Sequence, residues 1–412
     1  MNASDRTQRT RIYLDHASTS WPKRPGVVEA MTRYLVDNGA NAGRGGYESA
    51  RAASAMVERV RHDLARSIAA PMDACVSFHG GCTAALNAAI HGVCGPEGLV
   101  DRGHHVIASA VEHNAVLRPL HAACRQAEAT LQIASCDSDS VCSMESIANC
   151  IRAETRLVAM ASASNVTGCV QPIAEVAGLL RDINERRPTS ERIRLLCDAA
   201  QTLGYLPINV VAMGIDLLAA PAHKGMGGPS GIGMLYVAPE TANKVRPVMQ
   251  GGTGHDGRAW EMPSSMPHRM EAGTLNLPAI AGWEAALASV VEDGETEAHR
   301  EASLVSLAKR MHEGVSAIPG LRAHSVGGVL PVVSVSVADA DLGIGVHEIA
   351  AILDADFGVE VRAGHHCATA IHDHLGTQDS GTLRLSAGHG TRTHEIDHAL
   401  DALSEIMASV RV

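Results

Sequence analysis

The sequence predicts an α/β fold in two parts: a large domain on a mostly parallel sheet flanked by helices, and a smaller C-terminal α/β domain. Three observations predict it. From about residue 75 to 237, short apolar runs alternate with stretches of helical periodicity, the signature of βα units. The chain has 412 residues, a length at which a single core usually splits. Residues 249–273 are rich in Gly, Pro, Ser and Met, and a fresh set of helix and strand patterns follows this long loop.

The elements follow in order. After a polar tail, RIYLDHAST reads as a short extended segment that brings the N-terminus into a site. Over residues 53–69, Met56, Val60, Leu64 and Ile68 recur every four positions, which predicts an amphipathic helix with its arginines outward. The βα pairs are then VSF with TAALNAAIHGV, HVIASA with VLRPLHAACRQA, RLVAMASA with IAEVAGLLRDINE, RIRLLCDA with a turn, and IDLLAA with a glycine loop. The smaller domain is assembled from a helix at about 280–291, a charged helix through Leu307 and Met311, the strand VVSVSV and a closing helix from His394. No internal repeat or low-complexity tract is present.

Composition narrows the function. Apolar residues make up 46% and charged residues 19%, the balance of a folded globular chain. The 34 basic and 45 acidic residues leave a net charge of −11, a field that repels polyanions, so no nucleic acid is expected as a partner. The 3 Trp, 5 Tyr and 2 Phe also offer little for base stacking. The 22 His are candidate proton carriers, ligands or flat stacking partners. None of the 10 Cys pair as CxxC, and several sit in apolar runs, which predicts reduced thiols. The first residues lack the apolar core of a signal peptide and no run reaches the ~18 apolar residues of a membrane span, so the expected address is the cytoplasm, away from membrane.

In parallel sheets ligands sit beyond the carboxyl ends of the strands. The first such end gives GGCTAALN, where free N–H groups and the Thr83 hydroxyl suit a phosphate, or where paired glycines simply make a tight turn. The second gives SAVEHNAVL, with His113 as a stacking ring, a proton carrier or an ordinary helix start. The third, SASNVTGCVQPI, puts Asn165 before a glycine turn. The fourth, RIRLLCDAAQTLG, buries Asp198, which then needs a cationic or N–H partner, with Gln201 three residues on. The fifth, IDLLAAPAHKGMGGPSGIG, holds His223 and Lys224. A desolvated lysine amine has a lowered pKa and can form a Schiff base with an aldehyde; the plain alternative is a surface lysine in a loop. Together these parts are those that pyridoxal 5'-phosphate (PLP) uses, an acid for the pyridine nitrogen and a lysine for the aldehyde.

At this point the residues resemble the class V branch of fold-type I PLP enzymes, and specifically the cysteine desulfurase family. YLDHASTSWP, NAGRGGYESA, EHNAVLRPL, SNVTGCVQPI, CDAAQTLG, AHKGMGGPSGIG, GGTG, RMEAGTLNLP, VRAGHHCA and RLSAGHGTRTHEID appear in the family's order and span nearly the whole chain. The resemblance implies a seven-stranded type of sheet and three segments: an N-terminal arm over 1–25 joining the small domain, a PLP-binding large domain over 26–262, and a small domain over 263–412 carrying the catalytic cysteine. It implies that Lys224 binds the cofactor covalently, Asp198 pairs with the pyridine nitrogen, Gln201 contacts the ring hydroxyl, and His113 stacks on the ring and shuttles protons. Asn165 would assist near the substrate. Thr83, Cys82, His223 and, from a neighbouring subunit, Thr253 would complete the cofactor site, which makes a homodimer the expected working unit. Arg384 and Arg362 match substrate-carboxylate positions, for which a guanidinium fork is well shaped.

Cys367 in RAGHHCATAIHD matches the catalytic cysteine, and Arg362, His365 and His366 are expected to favour its thiolate. Cys367, His372 and His374 also form a CxxxxHxH cluster with zinc-ligand types, but the flanking residues match the desulfurase pattern and no metal is expected. The implied reaction converts L-cysteine to L-alanine with a persulfide on Cys367, handed to a sulfur-acceptor protein, with iron–sulfur assembly one possible destination. The alternatives are another class V reaction, such as selenocysteine lyase on L-selenocysteine or amino-acid β-elimination, and a non-catalytic relative acting as a binding partner. A Rossmann dehydrogenase is disfavoured because no GxGxxG follows the first strand. The chain departs from the family pattern at Pro221, Cys82, Ala85, His16, Thr391 and Arg392.

Overall fold

The computed structural model describes residues 11–410 except 44, 97, 255–257, 293–296, 326–327 and 340–341. Its strands are β1 (Ile12–Tyr13), β2 (Val76–His79), β3 (His105–Ser109), β4 (Thr130–Ala134), β5 (Thr155–Ala161), β6 (Arg194–Asp198), β7 (Leu217–Pro221), β8 (Gly233–Val237), β9 (Leu321–Ala323), β10 (Val332–Val337), β11 (Val359–Glu360), β12 (Arg362–Gly364) and β13 (Thr382–Ser386). Seven form one sheet in the order β2-β8-β7-β6-β5-β3-β4. Only β8 runs against its neighbours β2 and β7. The carboxyl ends of the other six strands therefore lie along one edge, as the βα alternation requires.

Alternation along the strands divides the core. Val158 and Met160 of β5, Leu195 and Cys197 of β6 and Leu218 and Ala220 of β7 pack on one face. Leu157, Ala159, Leu196, Leu217 and Ala219 pack on the other. Both faces are covered by helices, which is why these strands read as unbroken apolar runs. The sequence reading passed over β4 and did not resolve β8 from the glycine loop. Thr130–Ala134 is an edge strand with one buried residue, so its apolar signal is weak.

The smaller sheet has the order β12-β13-β10-β9 and is antiparallel. The strand VVSVSV is buried nearly throughout rather than on one face. Ser334 in it donates 2.6 Å to the Val166 carbonyl, a polar tie to the loop after β5. The arm strand β1 pairs in parallel with β11, and its Ile12, with Leu14, joins Val333, Val335, Leu383 and Leu385 in a third core. The helix Leu277–Glu292, expected in the second domain, instead packs its Ile280 and Trp283 in the first core. Trp283 meets Phe78 of β2 edge-on at 6.3 Å. The change of core therefore falls after this helix and not at residue 262. No helix among the described residues is long and apolar enough to cross a membrane.

The helix predicted over 53–69 spans Glu48–Ser67, and one of its arginines corrects the expectation that they all face out. Arg61 is 1% exposed. Its Nη1 donates 2.7 Å to Glu271 Oε1 and 2.6 Å to the Val76 carbonyl, and Nη2 donates 3.1 Å to Glu271 Oε2. The Phe78 N–H donates 2.7 Å to the same carboxylate. A buried guanidinium survives only with such a bidentate partner, and here the pair fastens β2, and so the turn that follows it. Glu271→Ala strands the Arg61 charge and is expected to lower unfolding stability by about 3–5 kcal/mol. The double change Arg61→Met with Glu271→Leu is expected to cost much less. Urea unfolding followed by circular dichroism measures both, and equal losses would contradict this account.

Candidate functional site

The carboxyl ends of β2, β5, β6 and β7 and the segment after β3 surround a cavity of about 360 Å³. Every residue nominated for the cofactor, the substrate or the reaction itself lines it except Cys367 and Thr253. β2 delivers Gly80, Gly81, Cys82 and Thr83, β3 delivers His113, β5 delivers Asn165, β6 delivers Asp198 and Gln201, and β7 leads to His223 and Lys224. The small sheet adds Arg362 and Arg384, and the arm adds Ala17 and Ser18. Thr253 lines a different cavity with Arg61 and Glu271.

At one end, Gly81 caps the helix Cys82–Val93 with φ 128°, a conformation glycine adopts without strain. The first helical bond runs from Ala85 N to Gly81 O. Donors before Ala85 are thus left to point outward, and Cβ atoms built on Gly80 or Gly81 would meet nothing within 4 Å. Thr83 and His223 line the same cavity as this turn, a donor set suited to a phosphate. His223 Nδ1 is buried without a hydrogen-bond partner. Pro221 lies in the same wall and offers no hydroxyl.

In the middle, Asp198 Oδ1 accepts from Ala200 N at 2.9 Å and from the Cys82 thiol at 3.6 Å. Burial pushes this carboxyl up, opposed by the Ala200 N–H and the Lys224 cation. Burial pushes the Lys224 amine down, opposed by Asp198 and assisted by Arg384 and Arg362. The thiol of Cys82 is pushed well up, first by burial and then by Asp198, so it stays a neutral donor. An acid short of positive partners beside an amine driven towards neutrality fits PLP, whose protonated ring nitrogen and aldehyde answer one group each.

His113 caps the helix Asn114–Gln126, its Nδ1 accepting from Ala115 N at 2.9 Å. That bond places the proton of the neutral ring on Nε2. Burial, then Lys224, Arg362 and Arg384, lower its pKa to about 4, so the ring is uncharged at neutral pH. Gln201 Nε2 donates 3.1 Å to the Ala17 carbonyl, and Asn165 Nδ2 donates 2.8 Å to the His366 carbonyl.

At the other end, Arg384 is buried, donating from Nη1 to the Asn165 carbonyl at 2.9 Å and from Nη2 to Asp15 Oδ1 at 2.6 Å. Arg362 lies opposite it across β12 and β13. Arg362 Nη2 stands 3.6 Å from Cys367 Sγ. The sulfur is exposed just outside the cavity, and its backbone carbonyl accepts from Asn114 N at 2.7 Å. Of the three cationic neighbours expected around this thiol, only Arg362 is seen against it. His366 is buried on Thr382, and burial with the two arginines drives its pKa far down, while His365 Nε2 lies on the Gln378 carbonyl. His372 of the CxxxxHxH cluster is buried with Nδ1 on Thr377, and among the described residues no three such side chains gather to hold a metal.

Two of the departures meet each other. His16 Nε2 lies 3.4 Å from Thr391 Oγ1, which accepts from Gly388 N at 3.0 Å. Neither they nor Arg392 line the cavity. Sequence reasoning did not nominate Asp15, Ser18 or Glu112. Asp15 and Ser18 lie in the motif YLDHAST, where two polar groups at the end of a segment entering a site were the available signal.

The aminotransferase class-V family model matches residues 12–399. A probable cysteine desulfurase of Methanothermobacter thermautotrophicus is 30% identical over 405 residues, covering 97% of this chain and 95% of that protein. The cysteine desulfurase IscS of Dictyoglomus turgidum is 27% identical, with 98% and 96% covered. Among solved structures, the apo cysteine desulfurase of Thermococcus onnurineus has a TM-score of 0.85 at 27% identity, with 97% and 95% covered. The cysteine desulfurase CsdA of Escherichia coli has a TM-score of 0.84 at 25% identity, with the same shares covered.

Behind the cavity Glu112 is fully buried. Its Oε1 accepts from Ser109 Oγ and Ala161 N, and Oε2 has no hydrogen-bond partner. No ion pair among the described residues reaches it. Burial raises its pKa from 4.5 to about 8. The folded state therefore keeps a proton that the unfolded chain gives up, and stability is lost as pH rises between those values. Glu112→Gln mimics the protonated acid, so its stability relative to the natural chain is expected to improve steadily from pH 5 to about pH 8. Melting temperatures of both proteins across that range measure this, and a pH-independent gap would mean the acid is ionised.

Proposed function

Because the chain belongs to the class-V aminotransferase family and to its cysteine desulfurases, it is a PLP enzyme, and we propose that it moves the sulfur of L-cysteine onto Cys367. The observation that carries this reading is the 3.6 Å approach of Arg362 to Cys367 Sγ at the mouth of a cavity holding Lys224 and Asp198. When bound, PLP supplies an aldehyde for the substrate amine and a ring that takes up electrons released at Cα. Lys224 would hold that aldehyde and, with its amine pushed towards neutrality by burial, would take the Cα proton. Asp198 would pair with the ring nitrogen and keep it protonated, and Gln201 would border the ring. His113, held neutral, would stack on the ring face and give its Nε2 proton. Thr83, His223, Cys82 and the helix turn form the phosphate end, completed by Thr253 from a second copy in a homodimer.

Arg384 and Arg362 receive the substrate carboxylate, while Asn165 steadies Arg384 through its carbonyl. The Cys367 thiolate then attacks the substrate sulfur. A bond forms between the two sulfur atoms, the substrate's Cβ–S bond breaks, Cβ takes a proton, and Cα takes back the one removed by Lys224, so that the product leaves as L-alanine. The persulfide stands on an exposed residue, where a sulfur-acceptor protein could collect it, iron–sulfur assembly being one destination, in the cytoplasm. L-selenocysteine would fit the same groups.

Two variants test the assignment. Lys224→Ala is expected to lose the visible absorbance of covalently held PLP. Cys367→Ser is expected to keep that absorbance while L-alanine formation from L-cysteine falls more than about hundredfold. Full alanine formation by Cys367→Ser would remove it as the nucleophile, and pyruvate as the product would point to β-elimination instead.

A further inference from the structure

Ser18 was not among the residues expected in the site, yet three charged side chains meet at its hydroxyl. Its Oγ lies 2.9 Å from Asp15 Oδ1, 2.8 Å from Arg384 Nη2 and 2.9 Å from Arg362 Nη1. A hydroxyl has one proton to give and two lone pairs to share, and guanidinium groups only donate. Ser18 therefore accepts from both arginines and donates to Asp15, which fills its capacity. We propose that Ser18 is a positioning residue that holds Arg362 and Arg384 as one receptor for a single carboxylate and keeps Arg362 against Cys367. This rests on the desulfurase reading above and adds to it a determinant of substrate binding.

The local backbone sets up the junction. Ser18 N donates 3.0 Å to the Asp15 carbonyl, closing a turn that brings the two side chains together, with Ser18 at the cavity. The turn is pinned by Ala17, whose N–H donates 2.9 Å to Ser386 Oγ and whose carbonyl accepts from Gln201. On the other side, the β12–β13 register sets Arg362 directly opposite Arg384. Like charges so placed repel. Asp15 cancels one, and the remaining unit of positive charge is the complement of one carboxylate.

The two arginines depend on Ser18 unequally. Arg384 also has Asp15 and the Asn165 carbonyl, and it is buried. Arg362 is only half-buried, and its hydrogen bonds run to Ser18 and to the Cys367 sulfur. Removing the hydroxyl should thus free Arg362 while leaving Arg384 in place. Both carboxylate binding and the donor against the sulfur would weaken together.

The test compares cofactor-loaded Ser18→Ala and Ser18→Thr with the natural chain. L-alanine binding is read from the change in bound-PLP absorbance, and Cys367 reactivity from iodoacetamide alkylation at pH 7. Ser18→Ala is expected to bind L-alanine about tenfold more weakly and to alkylate at Cys367 several-fold more slowly, while Ser18→Thr, which keeps the hydroxyl, stays near the natural chain. Melting temperatures and PLP content, equal across the three, show that the fold is intact. Unchanged binding and alkylation in a folded, loaded Ser18→Ala protein overturn the proposal, as does a Ser18→Thr protein that fails as badly as Ser18→Ala. Neither readout needs turnover. If L-cysteine yields no L-alanine while both readouts shift as expected, the desulfurase reading falls and the role of Ser18 stands.

Discussion

Charge removed from water must be answered by opposite charge, by directed hydrogen bonds or by a change of protonation, and the parts of this chain fit together around that constraint. Asp198, buried, and Lys224, half-buried, lie at the ends of adjacent parallel strands, where burial weighs against the charge of each. Each pushes towards its neutral form, and each needs what a protonated pyridine ring with an aldehyde brings. Around them the same demand is met in other ways. Arg384 meets Asp15 at 2.6 Å, and Arg61 meets Glu271 at 2.7 Å. Glu112, with no cation near it, is answered by a proton. His113 and His366 are answered by staying neutral.

These answers also explain how the small sheet and the arm are joined to the large one. Arg384 is on β13, yet it donates to Asn165 at the end of β5 and to Asp15 in the arm, so one buried cation binds three parts of the chain. Ser334 on β10 donates to Val166. Arg61 in turn ties Glu271 to β2 and sets the glycine turn where a phosphate would lie. The cavity is therefore a meeting point of elements more than a groove in one of them, as is common where ligands bind between layers.

How much of this was legible in the sequence follows from distance along the chain. The parallel strands were legible because burial on both faces makes continuous apolar runs, and their ends named Asn165, Asp198 and Lys224. Order of motifs supplied Arg384 and Cys367. What escaped was whatever is decided by a partner far away. Arg61 looks like any helix-surface arginine until Glu271, 210 residues on, is folded against it. Ser18 joins Arg362 across 344 residues, and no local pattern marks that pairing. β4 escaped for the opposite reason, since an edge strand with little burial leaves little trace in composition.

The cysteine shows why such long-range ties matter chemically. His366 and Cys367 both take left-handed backbone angles, φ 49° and 57°, which cost non-glycine residues about 1–2 kcal/mol each. Each strained carbonyl is caught from the large sheet's side, His366 by Asn165 Nδ2 and Cys367 by Asn114 N. Ala368 and Ile371 just beyond are buried against Val111, Ala161 and Val166. The turn is thus docked on the ends of β3 and β5 while its sulfur stays open to solvent. The proposed transfer of sulfur from a substrate inside the cavity to an acceptor outside it needs both properties. The strain is tolerated because the backbone it fixes belongs to the wall of the site and the side chain it aims belongs to the surface.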